Sequence, residues 1–313
     1  MERVVLYPLE VPSVQQARKV FISGPGGNRL ACSILGAHHH RTVVLTSGIG
    51  CGPVFMRAIA QELARDHRVV YWDYRSHGDS DLAPKGGGYS IAEHADDLDK
   101  VVRAFVPPEQ KPIMIGFSMG VQVTIEWSRI APDRAGAYVF MLGVPRNPMH
   151  RTVLLRSKAA WLAERIGKHG RPLLRVVQPV ANFAIRTQLT YELAKSLGFI
   201  SRGCPRNEFL DFLHYATSVP LDAYLRCAGG ILDHDATDTF LKISQPVYML
   251  AAEGDFLIDA EDARRFADKL PQARFEQLSY ASHAGSIEYG TYFAGAVRRF
   301  LRRLALDQKL RAA

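Results

Sequence analysis

Short apolar runs alternate with longer segments whose apolar residues recur every three to four positions. Thr42 to Thr46, His67 to Tyr74, Ile113 to Ile115, Ala137 to Leu142 and Pro246 to Ala252 are continuous or nearly so, which predicts buried strands. Arg274 to Leu278 predicts the last strand. Between these runs, residues 54–65, 91–105, 121–130, 260–269 and 293–304 have helical spacing. Ser90 with Glu93 three residues on forms a capping box for the second helix. Residues 18–35 read as a hairpin around Gly24-Pro25-Gly26-Gly27-Asn28. Strands alternating with helices predict the α/β class with a doubly wound, mostly parallel sheet.

The alternation stops at Pro145 and resumes after Ala236. Leu154, Leu155, Ala159, Leu162 and Ile166 fall at helical spacing beside Trp161, as do Phe209, Phe212, Leu213 and Ala216, then Leu221, Tyr224, Leu225 and Ala228. The segment is too long for a simple connection. It predicts a helical cap inserted before the penultimate strand: core 1–144, cap 145–236, core 237–313. The closing helix is read with Arg298, Arg299, Arg302 and Arg303 on its outer face.

Composition changes this picture little: 313 residues, 47% hydrophobic and 22% charged, suit one α/β core with a subdomain. No apolar run approaches a membrane span, and Met1-Glu2-Arg3-Val4 lacks a secretory pattern, so a cytoplasmic protein is expected. Cys32, Cys51, Cys204 and Cys227 show no metal-ligand spacing. Consecutive side chains diverge, so His38-His39-His40 reads as surface loop.

Charge adds more. Of a net charge of +8, residues 145–210 alone contribute +9, from twelve Lys/Arg against three acids. No nucleic-acid module accompanies them. A basic, apolar cap suits an anionic lipid surface, an acyl-CoA or an acyl carrier protein, with a solvated helical face as the plain alternative.

The chemistry centres on Gly116-Phe117-Ser118-Met119-Gly120, a G-x-S-x-G between strand and helix that forms a nucleophile elbow. So tight a turn strains the serine and leaves no room for side chains beside it. Gly48-Ile49-Gly50-Cys51-Gly52-Pro53 lacks dinucleotide-fingerprint spacing and reads as a loop whose N–H groups face an oxyanion. Asp255 and His283 each follow a predicted strand, at the edge where ligands collect in open α/β sheets. Asp259, four residues after Asp255, reads as a helix cap.

These residues resemble the α/β-hydrolase family over nearly the whole chain. Ser47-Gly48-Ile49 stands where such proteins have His-Gly-x, and Asp73-Tyr74-Arg75-Ser76-His77-Gly78-Asp79-Ser80 is similar to their D-x-R-G-H-G-x-S segment. The order Ser…Asp…His and the position of the insert also match. Ser47 and Ser76 depart from the pattern. The resemblance implies Ser118 as nucleophile, His283 as general base and acid, and Asp255 as its orienting carboxylate. It implies an oxyanion hole from the N–H groups of Met119 and Ile49, with Gly50 the alternative to Ile49. Gly48, Phe117, Trp161 and Phe212 are pocket candidates. No metal or cofactor is expected. The implied reaction is hydrolysis of an ester or thioester with a hydrophobic acyl group. The alternatives are an acyltransferase or thioesterase acting on acyl-CoA or acyl carrier protein, and a non-catalytic ligand-binding protein.

Overall fold

The computed structural model describes residues 17–148 and 187–312. Eight strands form one sheet: β1 (Arg18–Ser23), β2 (Arg29–Leu35), β3 (Thr42–Thr46), β4 (Arg68–Trp72), β5 (Ile113–Phe117), β6 (Ala137–Met141), β7 (Val247–Ala252) and β8 (Ala273–Leu278). Their order is β1-β2-β4-β3-β5-β6-β7-β8. β1 and β2 form the expected hairpin, and β2 joins β4 antiparallel; every later pairing is parallel. Alternate residues feed separate cores. Leu45, Tyr71, Val139 and Leu250 enter one, while Val44, Val70, Phe140 and Met249 enter the other. Both faces are covered, so the central strands read as unbroken apolar runs.

One face carries α1 (Arg57–Leu63) and α10 (Gly290–Ala312); the other carries α2 (Ile91–Phe105), α3 (Met119–Ile130) and α8 (Ala260–Ala267). Ser90 and Glu93 close the expected capping box on α2. The first helix is split: Pro53–Met56 is a 3-10 turn, and α1 starts only at Arg57. Arg298 is a correction to the outer-face reading of α10. It lies against α1, pairing with Glu62 and, at 2.9 Å, with Asp66.

The described part of the insert holds α4 (Gln188–Ser196), α5 (Arg206–Ser218) and α6 (Leu221–Asp233), followed by the short α7 (Thr237–Phe240) and, near the C-terminus, α9 (Gly285–Glu288). The chain after β6 meets the chain before α7: Ala236 N donates to Pro145 O at 2.8 Å, and Asn147 N to His234 O at 3.2 Å. The buried face of α6 is Ala223 and Cys227; of the expected Leu221, Tyr224, Leu225 and Ala228 stripe, Tyr224 packs beside them, partly buried against the core. This face is set there by close approach to Tyr89 and Ser90, where even a Cβ on Gly230 would lie 2.7 Å from Tyr89 O.

The segment after β4 is held from inside. Arg75 meets Asp97 through two hydrogen bonds of 2.7 and 2.9 Å, both side chains nearly or fully buried. Ser76, where the family pattern has glycine, takes φ 63°; its Oγ accepts from Ala83 N and shares a hydrogen bond with Tyr89.

His77 lies in the same buried segment, its Nδ1–H donating to Arg75 O at 3.1 Å. Burial lowers its pKa from 6.5 to about 4, and burial holds His94 well below its usual value too. Below about pH 6.5 the unfolded chain therefore takes up protons that the folded chain refuses, and stability falls as pH drops toward about 4. At about 1.4 kcal/mol per pKa unit, His77 alone accounts for a loss of about 3 kcal/mol. Urea unfolding near neutrality and in mild acid is expected to show a steeper loss in the wild type than in His77→Asn. Equal slopes would refute the assignment.

Candidate active site

β3 and β5 are adjacent, with Thr46 opposite Gly116, so the loop after β3 and the turn after β5 open side by side. Ser118 occupies that turn at φ 53°, ψ −120°, a conformation costing about 1–3 kcal/mol. The two glycines are demanded by close approach. A Cβ on Gly120 would lie 2.1 Å from Thr46 O, and one on Gly116 2.5 Å from Gly120 O.

β7 and β8 continue the sheet beyond β6, and the loops after them supply Asp255 and His283. His283 Nε2 lies 2.9 Å from Ser118 Oγ, and Nδ1 lies 2.7 Å from Asp255 Oδ2. A carboxylate only accepts, so Nδ1 holds the proton and Nε2 is left to accept from the serine hydroxyl. The other carboxylate oxygen, Asp255 Oδ1, accepts from Leu257 N and Ile258 N, each at 2.9 Å. The Asp255 side chain is fully buried and that of His283 is 13% exposed. Asp259 is elsewhere: it caps α8, its Oδ1 accepting from Glu261 N at 3.0 Å.

Met119 opens α3, so its N–H is among the first-turn donors that have no intrahelical partner. The Gly48–Ile49 segment faces the same turn, since a Cβ on Gly48 would lie 3.0 Å from the Cβ of Ser118. Tyr74 Oη donates to Ser47 O at 2.7 Å and pins the start of this loop. Gly50 and Gly52 take φ of 62° and 63°, and the cap fills the space above them. Cβ atoms there would lie 2.7 Å from the Tyr224 ring and 2.6 Å from the Tyr215 ring. The glycines thus make room for the Tyr224 and Tyr215 rings, a requirement the sequence did not reveal.

Phe117 is fully buried with its ring 5.6 Å from that of His283; Phe55 follows at 5.0 Å and Phe212 of α5 at 5.2 Å from Phe55. This aromatic series joins the histidine to the cap. Trp161 lies outside the described residues, as do Arg151, Arg156, Lys158, Arg165, Lys168, Arg171, Arg175 and Arg186. Of the remaining cap cations, Arg146 pairs with Asp262 at 3.2 Å and Lys195 with Glu192 at 3.8 Å. Tyr215 and Glu288 escaped the sequence reading. The Tyr215 hydroxyl donates to Asp73 Oδ1 at 2.6 Å across 142 residues, and burial pushes that carboxyl up. Cys51 is buried beside Gly48, and burial pushes its thiol up, so it is a neutral filler and no rival nucleophile. Among the described residues there is no group of three metal-binding side chains, and no helix long and apolar enough to cross a membrane.

A mostly parallel sheet with a serine at the tip of its β5–α3 turn, facing a histidine and an acid from the loops after β8 and β7, defines the α/β-hydrolase class. The chain belongs to the alpha/beta hydrolase family, whose model matches residues 43–296. It is 26% identical over 261 residues to a proposed carbamate hydrolase, RutD, of Caulobacter vibrioides, covering 83% of this chain and 89% of the relative. The RutD protein of Cronobacter sakazakii is 23% identical over 78% of this chain and 84% of its own length. In fold it is similar to a thermophilic esterase from Thermogutta terrifontis, with TM-score 0.71, 23% identity, and coverage of 92% of this chain and 99% of that one. It is likewise similar to the enol-lactonase from Burkholderia xenovorans, with TM-score 0.69, 20% identity, and coverage of 90% and 100%.

Proposed function

We propose that the protein is a serine hydrolase that cleaves an ester or thioester with a hydrophobic acyl group through an acyl-enzyme on Ser118. The observation that supports this most is the continuous hydrogen-bonded line Ser118–His283–Asp255 at the mouth of the elbow. His283 Nε2 takes the hydroxyl proton as Oγ bonds to the acyl carbon. The oxyanion so formed lies toward the N–H groups of Met119 and Ile49, where losing one donor costs about 3–4 kcal/mol of transition-state stabilisation. The proton then passes to the leaving alcohol or thiol. His283 next deprotonates water, which attacks the acyl carbon and releases Ser118.

The cap is read as the lid of the acyl site, with Phe212 reaching toward His283 through Phe55 and Phe117. A second reading, carbamate cleavage, is favoured by the likeness to RutD over 83% of the chain. It uses the same attack and the same oxyanion. A panel of acetate through long-chain esters, matched thioesters and aryl carbamates separates the two by kcat/KM. In that panel Phe212→Ala is expected to shift the chain-length preference while changing acetate turnover little. Uniform loss on every ester would make Phe212 structural support and not a selectivity element.

A further inference from the structure

Glu288 closes α9 and is 9% exposed, and three donors converge on its carboxylate. Oε2 accepts from Ser282 N at 2.9 Å; Oε1 accepts from the Ser282 hydroxyl at 2.6 Å and from Ser201 N at 2.6 Å. Ser282 immediately precedes His283, and its Oγ also accepts from Ala284 N at 3.0 Å, so the backbone is fixed on both sides of the imidazole. Ser201 belongs to the cap, in the turn between α4 and α5. In the same turn, Phe199 stands edge-on to Phe256 at 4.8 Å, and Phe256 directly follows Asp255. One cap turn therefore touches both loops that supply the acid and the base.

The chemistry of the carboxylate matters here. It accepts at both oxygens and donates at neither, which matches three donors, and hydrogen bonds to a charged acceptor are about twice as strong as neutral ones. A glutamine of the same shape would turn an N–H toward one of those donors and leave it unpaired in a buried site.

We infer that Glu288 is a positioning residue that keeps the His283 loop in register with Ser118 while the Gly198–Ser201 turn of the cap is docked. Cap docking and alignment of the base are then one event, and lifting the cap disarms the site. This rests on the reading of Ser118 as nucleophile and His283 as its base.

The test uses the full chain. For Glu288→Gln, kcat and KM are measured on a short-chain ester, together with the rate of Ser118 labelling by a small fluorophosphonate. Misplacing reacting groups by about 1 Å costs roughly 100-fold, so kcat and the labelling rate are expected to fall together by about 10- to 100-fold. KM is expected to stay within about twofold, because uniform binding is untouched. Ser201→Pro removes the cap-side N–H donor and is expected to slow labelling in the same sense, although Ser201 is not part of the triad. Unchanged kcat and labelling in folded Glu288→Gln would overturn the inference. Should that variant not fold, Ser282→Ala, which deletes one donor, decides: undiminished labelling there would overturn it equally. An adduct that persists in Ser118→Ala sinks the underlying nucleophile assignment instead. An adduct lost in Ser118→Ala but undiminished in Glu288→Gln sinks this inference alone.

Discussion

Replacing Ser118 by alanine is expected to abolish covalent capture by a fluorophosphonate and to lower kcat on the order of 10⁶-fold. The hydroxyl is hydrogen-bonded to His283 Nε2, so its loss deprives the imidazole of the proton it would move. Among the described residues, the nearby thiol of Cys51 is buried and kept neutral, so it does not substitute for the hydroxyl. Alanine at φ 53° inherits the strain already present, so the variant is expected to fold with near wild-type stability. Peptide mapping of the labelled wild type places the adduct. Full-stoichiometry labelling of Ser118→Ala would remove Ser118 from the mechanism.

The second large effect separates two aspartates four positions apart. In Asp255→Asn the amide oxygen still satisfies Leu257 N and Ile258 N, but its NH₂ group faces His283 Nδ1. Nδ1 must then accept, the proton moves to Nε2, and the ring can no longer take a proton from Ser118. A loss in kcat on the order of 10⁴-fold is expected, the magnitude for a wrong tautomer in intact geometry. Asp259→Asn keeps a good cap on α8, since asparagine and aspartate are about equal there, and is expected to leave kcat unchanged. Both variants are to be compared at matched folded fractions. The reverse ranking would reassign the acid.

Much of this site was legible because it rests on local rules. The elbow glycines follow from the 2.1 Å and 2.5 Å approaches that any side chain would violate. Ser90 and Glu93 announce α2 within four residues. Other features depend on partners distant in the chain, and no periodicity reveals them. Arg298 read as solvent-facing because its helical position is next to Arg299, yet Glu62 and Asp66 draw it inward. Glu288 carries one weak signal, an acid five residues after the histidine beside the apolar Ile287, and the donors that give it a role come from Ser282 and from distant Ser201. Tyr215 had no sequence signal, since its partner Asp73 belongs to a loop read for another motif.

The junction where the insert leaves and rejoins the sheet has a consequence for how such a chain diversifies. Pro145 and Ala236 are hydrogen-bonded to each other beside the paired strands β6 and β7, so the ends of the intervening segment are already closed onto one another. Each doubling of the intervening length costs only about 0.6 kcal/mol of closure entropy. The segment between these strands meets the rest of the chain at two sockets, the carboxylates of Asp73 and Glu288, which receive Tyr215 and the Ser201 amide. A foreign segment grafted at this junction would need to bring a hydrogen-bond donor to each socket, and a graft that filled neither would leave Glu288 with the Ser282 donors alone and Asp73 Oδ1 without its Tyr215 donor.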